Sequence, residues 1–192
     1  MYFMISSILA GIVKLFRLLT VEGKEHLPKE ARYVITCTHT GWVDVIMLAL
    51  AVYPTPVHFM AKKELFDRVL FRKFLTAIHA FPVNRENPGP STLKIPLKLL
   101  KENKCVGIFP SGTRSAENVP LKKGAATIAV KAQVPLIPAA YQGPNHLAGI
   151  FRGEKALIRF GQAILPETPQ FKRGEAIEDA LLKLERGIQR LE

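Results

Sequence analysis

Negative charge is scarce in this chain of 192 residues: 16 aspartates and glutamates stand against 27 lysines and arginines, a formal net charge of +11. Only three of the acids are aspartates, Asp44, Asp67 and Asp179. Such a surface attracts anions: nucleic acid, acidic lipid headgroups or phosphorylated substrates. Cysteine is nearly absent, with Cys37 and Cys105 alone, both inside apolar strand-like runs. That excludes a disulfide framework and, with histidines scattered, a zinc finger or ribbon, and fits buried thiols in a reducing compartment. No metal site is expected. Internal repeats, low-complexity tracts and a linker long enough to divide domains are all missing. So is the G-x-S-x-G elbow of a serine hydrolase, since Ser111 follows Pro110 and Gly107 lies four residues back. At 48% hydrophobic and 22% charged, the chain is not disordered, and its length fits one folded domain.

The first nineteen residues are apolar but interrupted by Lys14 and Arg17, short of the about 20 residues with few charges that a spanning helix needs. On a helix, Ser7, Ala10, Gly11, Lys14 and Arg17 share one face and the other faces are apolar. This suits a helix lying in a membrane interface, Phe3, Ile8 and Phe16 entering it while Lys14 and Arg17 reach phosphates. A core helix of a soluble protein is the alternative. A secretory signal fits poorly: no positive residue precedes the apolar stretch and no small-residue cleavage site follows. Residues 1–20 are thus read as a membrane-associating helix and 21–192 as the main domain.

Beyond it, strands and helices alternate. Strands are expected at Arg32–Thr38, Val57–Ala61, His79–Val83, Cys105–Phe109, Pro135–Tyr141 and Lys155–Phe160. Helices are expected at Trp42–Val52, over most of Lys62–Ile78, at Thr92–Glu102 despite Pro96, at Lys122–Ala132 and at Glu175–Leu191, with a turn at Asn87–Pro90. Strands apolar on both faces, alternating with helices, predict an α/β fold with a largely parallel sheet covered by helices. Ligands bind such sheets beyond the carboxyl ends of the strands, so residues that directly follow strands are the informative ones.

Three groups do so. In Thr38-His39-Thr40-Gly41-Trp42-Val43-Asp44, Gly41 permits a tight turn and Asp44 falls in the first turn of the next helix. A carboxylate can then fix one ring nitrogen of His39 and leave the other as a base; strand and helix capping is the plainer alternative. With no serine or cysteine partner in view, the pair is suited to activating a hydroxyl that the substrate supplies. In Phe109-Pro110-Ser111-Gly112-Thr113-Arg114-Ser115, Gly112 admits a close ligand, Thr113 adds a hydroxyl and Arg114 a planar fork for phosphate. Arg85 follows Phe81-Pro82-Val83-Asn84, and Lys122 extends the basic wall. Taken alone, each arginine reads first as a solvated surface charge, and the shared position after strands is what singles them out. A parallel sheet would bring His39, Arg85 and Arg114 to one edge, a base and two cations suited to an alcohol carrying a phosphate.

Two further stretches stay open. Val134-Pro135-Leu136-Ile137-Pro138-Ala139 is held extended by its prolines and either lines an acyl-chain path or packs in the core. The run Lys62–Phe74 mixes cations with aromatics, for anionic lipid or an acidic carrier protein, or simply as a helix with a buried aromatic face and solvated charges.

These blocks carry a resemblance. Histidine-x4-aspartate at His39–Asp44, the apolar strand ending in Arg85, F-P-x-G-T-R at Phe109–Arg114 and V-P-x-x-P at Val134–Pro138 stand in the order found in the PlsC-type glycerolipid acyltransferases, the 1-acyl-sn-glycerol-3-phosphate acyltransferase family. The resemblance covers about half the chain, from Thr38 to Ala140. It implies transfer of a fatty acyl group from acyl-CoA or an acyl-acyl-carrier protein to the 2-hydroxyl of lysophosphatidic acid, with no other cofactor. It implies His39 as general base, Asp44 as its orienting partner and Arg85 and Arg114 on the acceptor's phosphate. It also implies an α/β core held by N-terminal helices at the membrane, here on its cytoplasmic face. One departure stands out: the family usually has glutamate where this chain has Ser111. Phosphate binding should survive that change, but a different lysolipid acceptor becomes possible. A non-catalytic lipid-binding relative and a nucleic-acid-binding module are the competing classes; the dispersal of the basic residues speaks against the second.

Overall fold

Val34–Cys37 and Cys105–Ile108 hold no charged residue, and every position in them is buried, as in strands covered on both faces. They form the middle of a seven-stranded sheet. The computed structural model describes residues 2–84, 90–109, 123–166 and 173–192. In chain order the elements are α1 (Tyr2–Leu15), β1 (Leu19–Glu22), β2 (Val34–Cys37), α2 (Trp42–Val52), β3 (Val57–Lys62), α3 (Val69–Ala77), β4 (Phe81–Val83), α4 (Pro90–Lys101), β5 (Cys105–Ile108), α5 (Gly124–Ala132), β6 (Leu136–Gln142), α6 (Leu147–Phe151), β7 (Ala156–Phe160) and α7 (Arg173–Gln189).

The sheet order is β1-β7-β6-β2-β5-β3-β4. Every neighbouring pair is parallel except β6 with β7, so the α/β fold with a mostly parallel sheet matches the expectation. Strand alternation splits the core in two. Ile35 and Cys37 of β2 face α2 and pack with Val43, Met47 and Leu48. Val34 joins the opposite cluster with Leu100, Ile128, Ala129 and Leu184 from α4, α5 and α7. Helix α4 persists through Pro96 because Leu100 and its apolar neighbours are buried there. That burial offsets the roughly 3 kcal/mol an interior proline costs.

Two local expectations need correction. The N-terminal helix ends at Leu15, and Arg17 adopts a left-handed backbone (φ 51°) that turns the chain back. Leu19–Glu22 is then a strand on β7, hidden in the sequence because its apolar residues continue the helix's apolar run. The segment Lys62–Ile78 is not one helix: Lys62 closes β3, a 3-10 turn covers Lys63–Phe66, and α3 begins only at Val69.

The parallel strands β2, β5, β3 and β4 end at one edge, where the chain runs on to His39, Phe109, Lys63 and Asn84. From β2 the chain passes to β3 on one side; from β5 it crosses the opposite face through α5 to β6 on the other side. The adjacent ends of β2 and β5 therefore sit where strand order reverses, the position of ligand crevices in open α/β sheets.

Candidate functional site

His39 lies one residue beyond the last β-bonded position of β2, Thr38, whose N–H donates to the Ala139 carbonyl at 3.3 Å. Asp44 is the third residue of α2 and is fully buried (0% exposed). Its carboxylate accepts from His39 Nδ1 with both oxygens at 3.1 Å, and Oδ2 also accepts from the backbone N–H of Thr40 at 2.5 Å and of Gly41 at 2.9 Å. The acid thus caps α2 and holds the imidazole at once: the capping and the tautomer-fixing alternatives are both true of one side chain. With Nδ1 turned to Asp44, Nε2 is the ring nitrogen left to meet a substrate.

Gly41 serves a different purpose from the tight turn expected of it. Its backbone is extended (φ −174°), which any residue adopts, but a Cβ there would lie 2.4 Å from the carbonyl oxygen of Asn145. The loop after β6 presses against the start of α2, and only glycine admits it.

The imidazole is clamped from the side. Its ring lies 4.4 Å from the Phe109 ring, tilted by 30°, and Phe109 stacks in turn on Phe59 at 6.1 Å. Phe59 has room because its neighbour on β5 is Gly107, whose Cβ would fall 2.6 Å from the Phe59 ring. Three strands, β2, β5 and β3, therefore combine to fix one ring.

Beside it opens a cavity of about 230 Å³, lined by His39, Trp42, Phe59, Leu65, Leu75 and Ile78 among others, with Lys62 on its wall. A base in the wall of a mostly apolar recess can act on a molecule that is polar at one end and hydrocarbon at the other. A larger groove of about 920 Å³ runs between α1 and β1, but no histidine, cysteine or acid is among its lining residues. In the sequence Lys62 opens the mixed cation–aromatic run; in the fold it ends β3, the same strand-end position that marks His39.

Neither thiol offers a nucleophile. Cys37, two residues before His39, is fully buried, and burial followed by the nearby charge of Asp44 pushes its pKa far up. Burial does the same to Cys105. The Tyr141 hydroxyl is likewise raised, by burial first and then by Asp44, and donates to the Pro144 carbonyl at 2.8 Å. No cluster of metal-ligating side chains occurs among the described residues.

The other residues singled out in the sequence divide as follows. Arg85, Ser111, Gly112, Thr113, Arg114 and Lys122, with the turn at Asn87–Pro90, fall outside the described residues in whole or in part, although β4 and β5, which lead to the two arginines, end at the His39 edge. Val134 is buried against the α5 and α7 cluster, and Pro135 gives its carbonyl to Val34. The Pro138 ring fills the space left by Gly161 and Gly187, where a Cβ would lie 2.9 Å from it. None of the three is among the residues lining the cavity beside His39, and Val134 and Pro138 are buried in the core. On the N-terminal segment, Phe3 lies within α1, while Ile8, Lys14, Phe16 and Arg17 are exposed.

Residues 18–142 match the family model described as Acyltransferase. The chain is 49% identical over 185 residues to the 1-acyl-sn-glycerol-3-phosphate acyltransferase of Bacillus subtilis (strain 168), covering 94% of this chain and 93% of that protein. It is 34% identical over 192 residues to the enzyme of the same description from Streptococcus pneumoniae, covering 96% and 72%. Among solved structures, the 1-acyl-sn-glycerophosphate (LPA) acyltransferase PlsC from Thermotoga maritima superposes with a TM-score of 0.69 at 23% identity, covering 97% of this chain and 79% of that one. At that identity the likeness bears on the fold alone.

Proposed function

From the premise that the chain belongs to the 1-acyl-sn-glycerol-3-phosphate acyltransferase family, we propose how its own residues perform the acyl transfer that makes phosphatidic acid from lysophosphatidic acid. Asp44 holds His39 by Nδ1, so Nε2 takes the proton of the acceptor's 2-hydroxyl. The oxygen attacks the carbonyl carbon of an acyl thioester, of coenzyme A or of an acyl carrier protein. The tetrahedral intermediate collapses as the carbon–sulfur bond breaks, and the leaving thiolate takes the proton from the imidazolium. Backbone amides near Gly112 are the candidates for the oxyanion. The single observation that carries this reading is the buried carboxylate fixing an imidazole that lines a mostly apolar cavity.

The acceptor's phosphate is assigned to Arg85 and Arg114, aided by Gly112, Thr113 and Lys122, with Ser111 beside the glycerol. Lys62, on the cavity wall and 4.0 Å from the Glu64 carboxylate, is a further cation of the described site. The serine, in place of the glutamate usual in the family, makes a lysolipid other than lysophosphatidic acid the second reading. The cavity beside His39 is assigned to hydrocarbon.

No helix among the described residues is long and apolar enough to cross a membrane. Helix α1, with 14 residues, spans about 21 Å, against a hydrocarbon core of about 30 Å. It is proposed to lie in the interface on the cytoplasmic face, Phe3, Ile8 and Phe16 in the lipid and Lys14 and Arg17 at the phosphates.

Incubation of the purified chain with labelled acyl-CoA and lysophosphatidic acid, with other lysolipids in parallel, tests the reaction. His39→Ala should slow turnover by about 10²–10⁴; near-normal transfer would remove His39 from the chemistry. Arg114→Ala should raise the acceptor KM more than it lowers kcat, and an unchanged KM would take Arg114 off the phosphate.

A further inference from the structure

Large apolar side chains are exposed at thirteen positions among the described residues, and they are not scattered: five lie on or just after α1, four on α3 and two on α6. On α3, Leu70 (82% exposed) and Phe74 are one turn apart and form an outward ridge, while Leu75 faces the core. On α6, Leu147 and Phe151 (88% exposed) repeat the same spacing.

Topology places both ridges at the catalytic edge. The segment carrying α3 leaves the carboxyl end of β3, and Phe71 of α3 lies 6.3 Å from Trp42, which lines the cavity beside His39. Helix α6 sits in the connection that leaves the carboxyl end of β6, the loop whose Asn145 carbonyl presses on Gly41. In the sheet, β6 lies on one side of β2 and β3 on the other, so the ridges flank His39 from opposite sides. The loop after α1 enters β1 at this same edge, since β1 runs parallel to β7 and β7 antiparallel to β6.

We infer that α3 and α6 are two membrane-docking ridges which seat the His39 edge face-down on an anionic bilayer. A plane is the occupant that fits: the two ridges are short and leave the sheet on opposite sides of β2, at the same strand ends. Charge agrees at α3, where Arg68, Arg72 and Lys73 flank the ridge on a chain of net charge +11; at α6, Arg152 is paired with Glu154 at 3.1 Å, so that ridge contributes apolar contact. Docked this way, the strand-end edge that carries His39 meets the leaflet, and a lipid acceptor reaches His39 without its hydrocarbon crossing water. The inference rests on the reading that the acceptor is a membrane lipid, and it extends membrane contact beyond α1.

The test uses the full chain with vesicles of phosphatidylcholine and phosphatidylglycerol. Leu70→Glu with Phe74→Glu, and separately Leu147→Glu with Phe151→Glu, are compared with the matching serine pairs. Each pair should lower vesicle partitioning by about 10-fold or more, glutamate more than serine. Each should raise the apparent KM for a vesicle-borne acceptor in step. Turnover of a short-chain acceptor dissolved as monomers should stay near that of the unsubstituted chain, which also certifies folding.

Unchanged partitioning in both pairs overturns the docking surface. So does loss of activity confined to an acyl-carrier-protein donor with partitioning intact, which would make α3 a protein-docking helix. If partitioning falls as expected but the unsubstituted chain acylates no lysolipid in any form, the docking surface stands and the proposed reaction fails.

Discussion

Asp44 concentrates more of the site's geometry than any other described side chain. It accepts from the His39 ring and from two backbone amides, with no exposed surface of its own. Asparagine keeps one acceptor oxygen for those amides but offers an amide donor toward Nδ1, which favours the wrong tautomer. Asp44→Asn should therefore lower kcat by about 10²–10⁴ with little change in folding. Asp44→Ala should in addition cost about 1–3 kcal/mol of stability, because buried amide donors lose their acceptor. Turnover measured beside urea unfolding separates the two effects; equal stability of both variants would show that the capping role is minor.

At the scale of elements, the imidazole depends on packing that begins a strand away. Gly107 of β5 makes room for Phe59 of β3, Phe59 backs Phe109, and Phe109 backs His39. Gly107→Ala should destabilise the fold by about 1–3 kcal/mol through overpacking and lower kcat as the ring stack shifts. Adding Phe59→Leu should restore much of the stability; thermal unfolding of the single and double variants decides, and an additive double loss would refute the packing account.

The opposite edge of the sheet carries a separate pair. His58, at the start of β3, and His79, just before β4, stack with centroids 5.0 Å apart. Burial lowers both imidazoles from the ordinary value of 6.5; the charge of His79 adds to the effect on His58, and that of Lys104 to both, while Glu102 opposes it at His58. Below about 6.5 the unfolded chain then binds more protons than the folded one, so stability should be intact above that value and fall as pH drops through the lowered folded values. His79 has a left-handed backbone (φ 58°), which asparagine tolerates. Urea midpoints measured against pH should show a flatter acid limb for His79→Asn than for the unsubstituted chain, and identical limbs would discount the pair.

For the whole molecule, the excess of cations makes membrane association an electrostatic matter as well as an apolar one. Partitioning onto anionic vesicles should weaken steadily between about 0.01 M and 1 M salt, as the screening length falls from about 30 Å to about 3 Å. A residual apolar component should survive, carried by the exposed residues of α1, α3 and α6. Salt-independent binding in vesicle sedimentation would mean the net charge of +11 plays no part.

Much of this was legible in the residues. Apolar runs such as Val34–Cys37 and Cys105–Ile108 announce strands buried on both faces, and α2 begins and ends where its periodicity begins and ends, at Trp42 and Val52. Histidine and aspartate five positions apart meet because a strand end, a two-residue loop and one helical turn leave few other arrangements. These are short-range consequences of chain geometry, and a linear sequence holds them.

What depended on folding was every relation between distant segments. Leu19–Glu22 is a strand because β7 is there to pair with it, more than a hundred residues away. Gly41 answers to Asn145, Gly107 to Phe59, and Pro138 to Gly161 and Gly187. The cavity beside His39 is walled by α2, β3, α3 and the end of β5, and the exposed ridges of α3 and α6 share its edge only through the strand order. Local pattern dictates which residues form an element, whereas burial and steric fit, which decide what each element touches, exist only once the sheet has assembled.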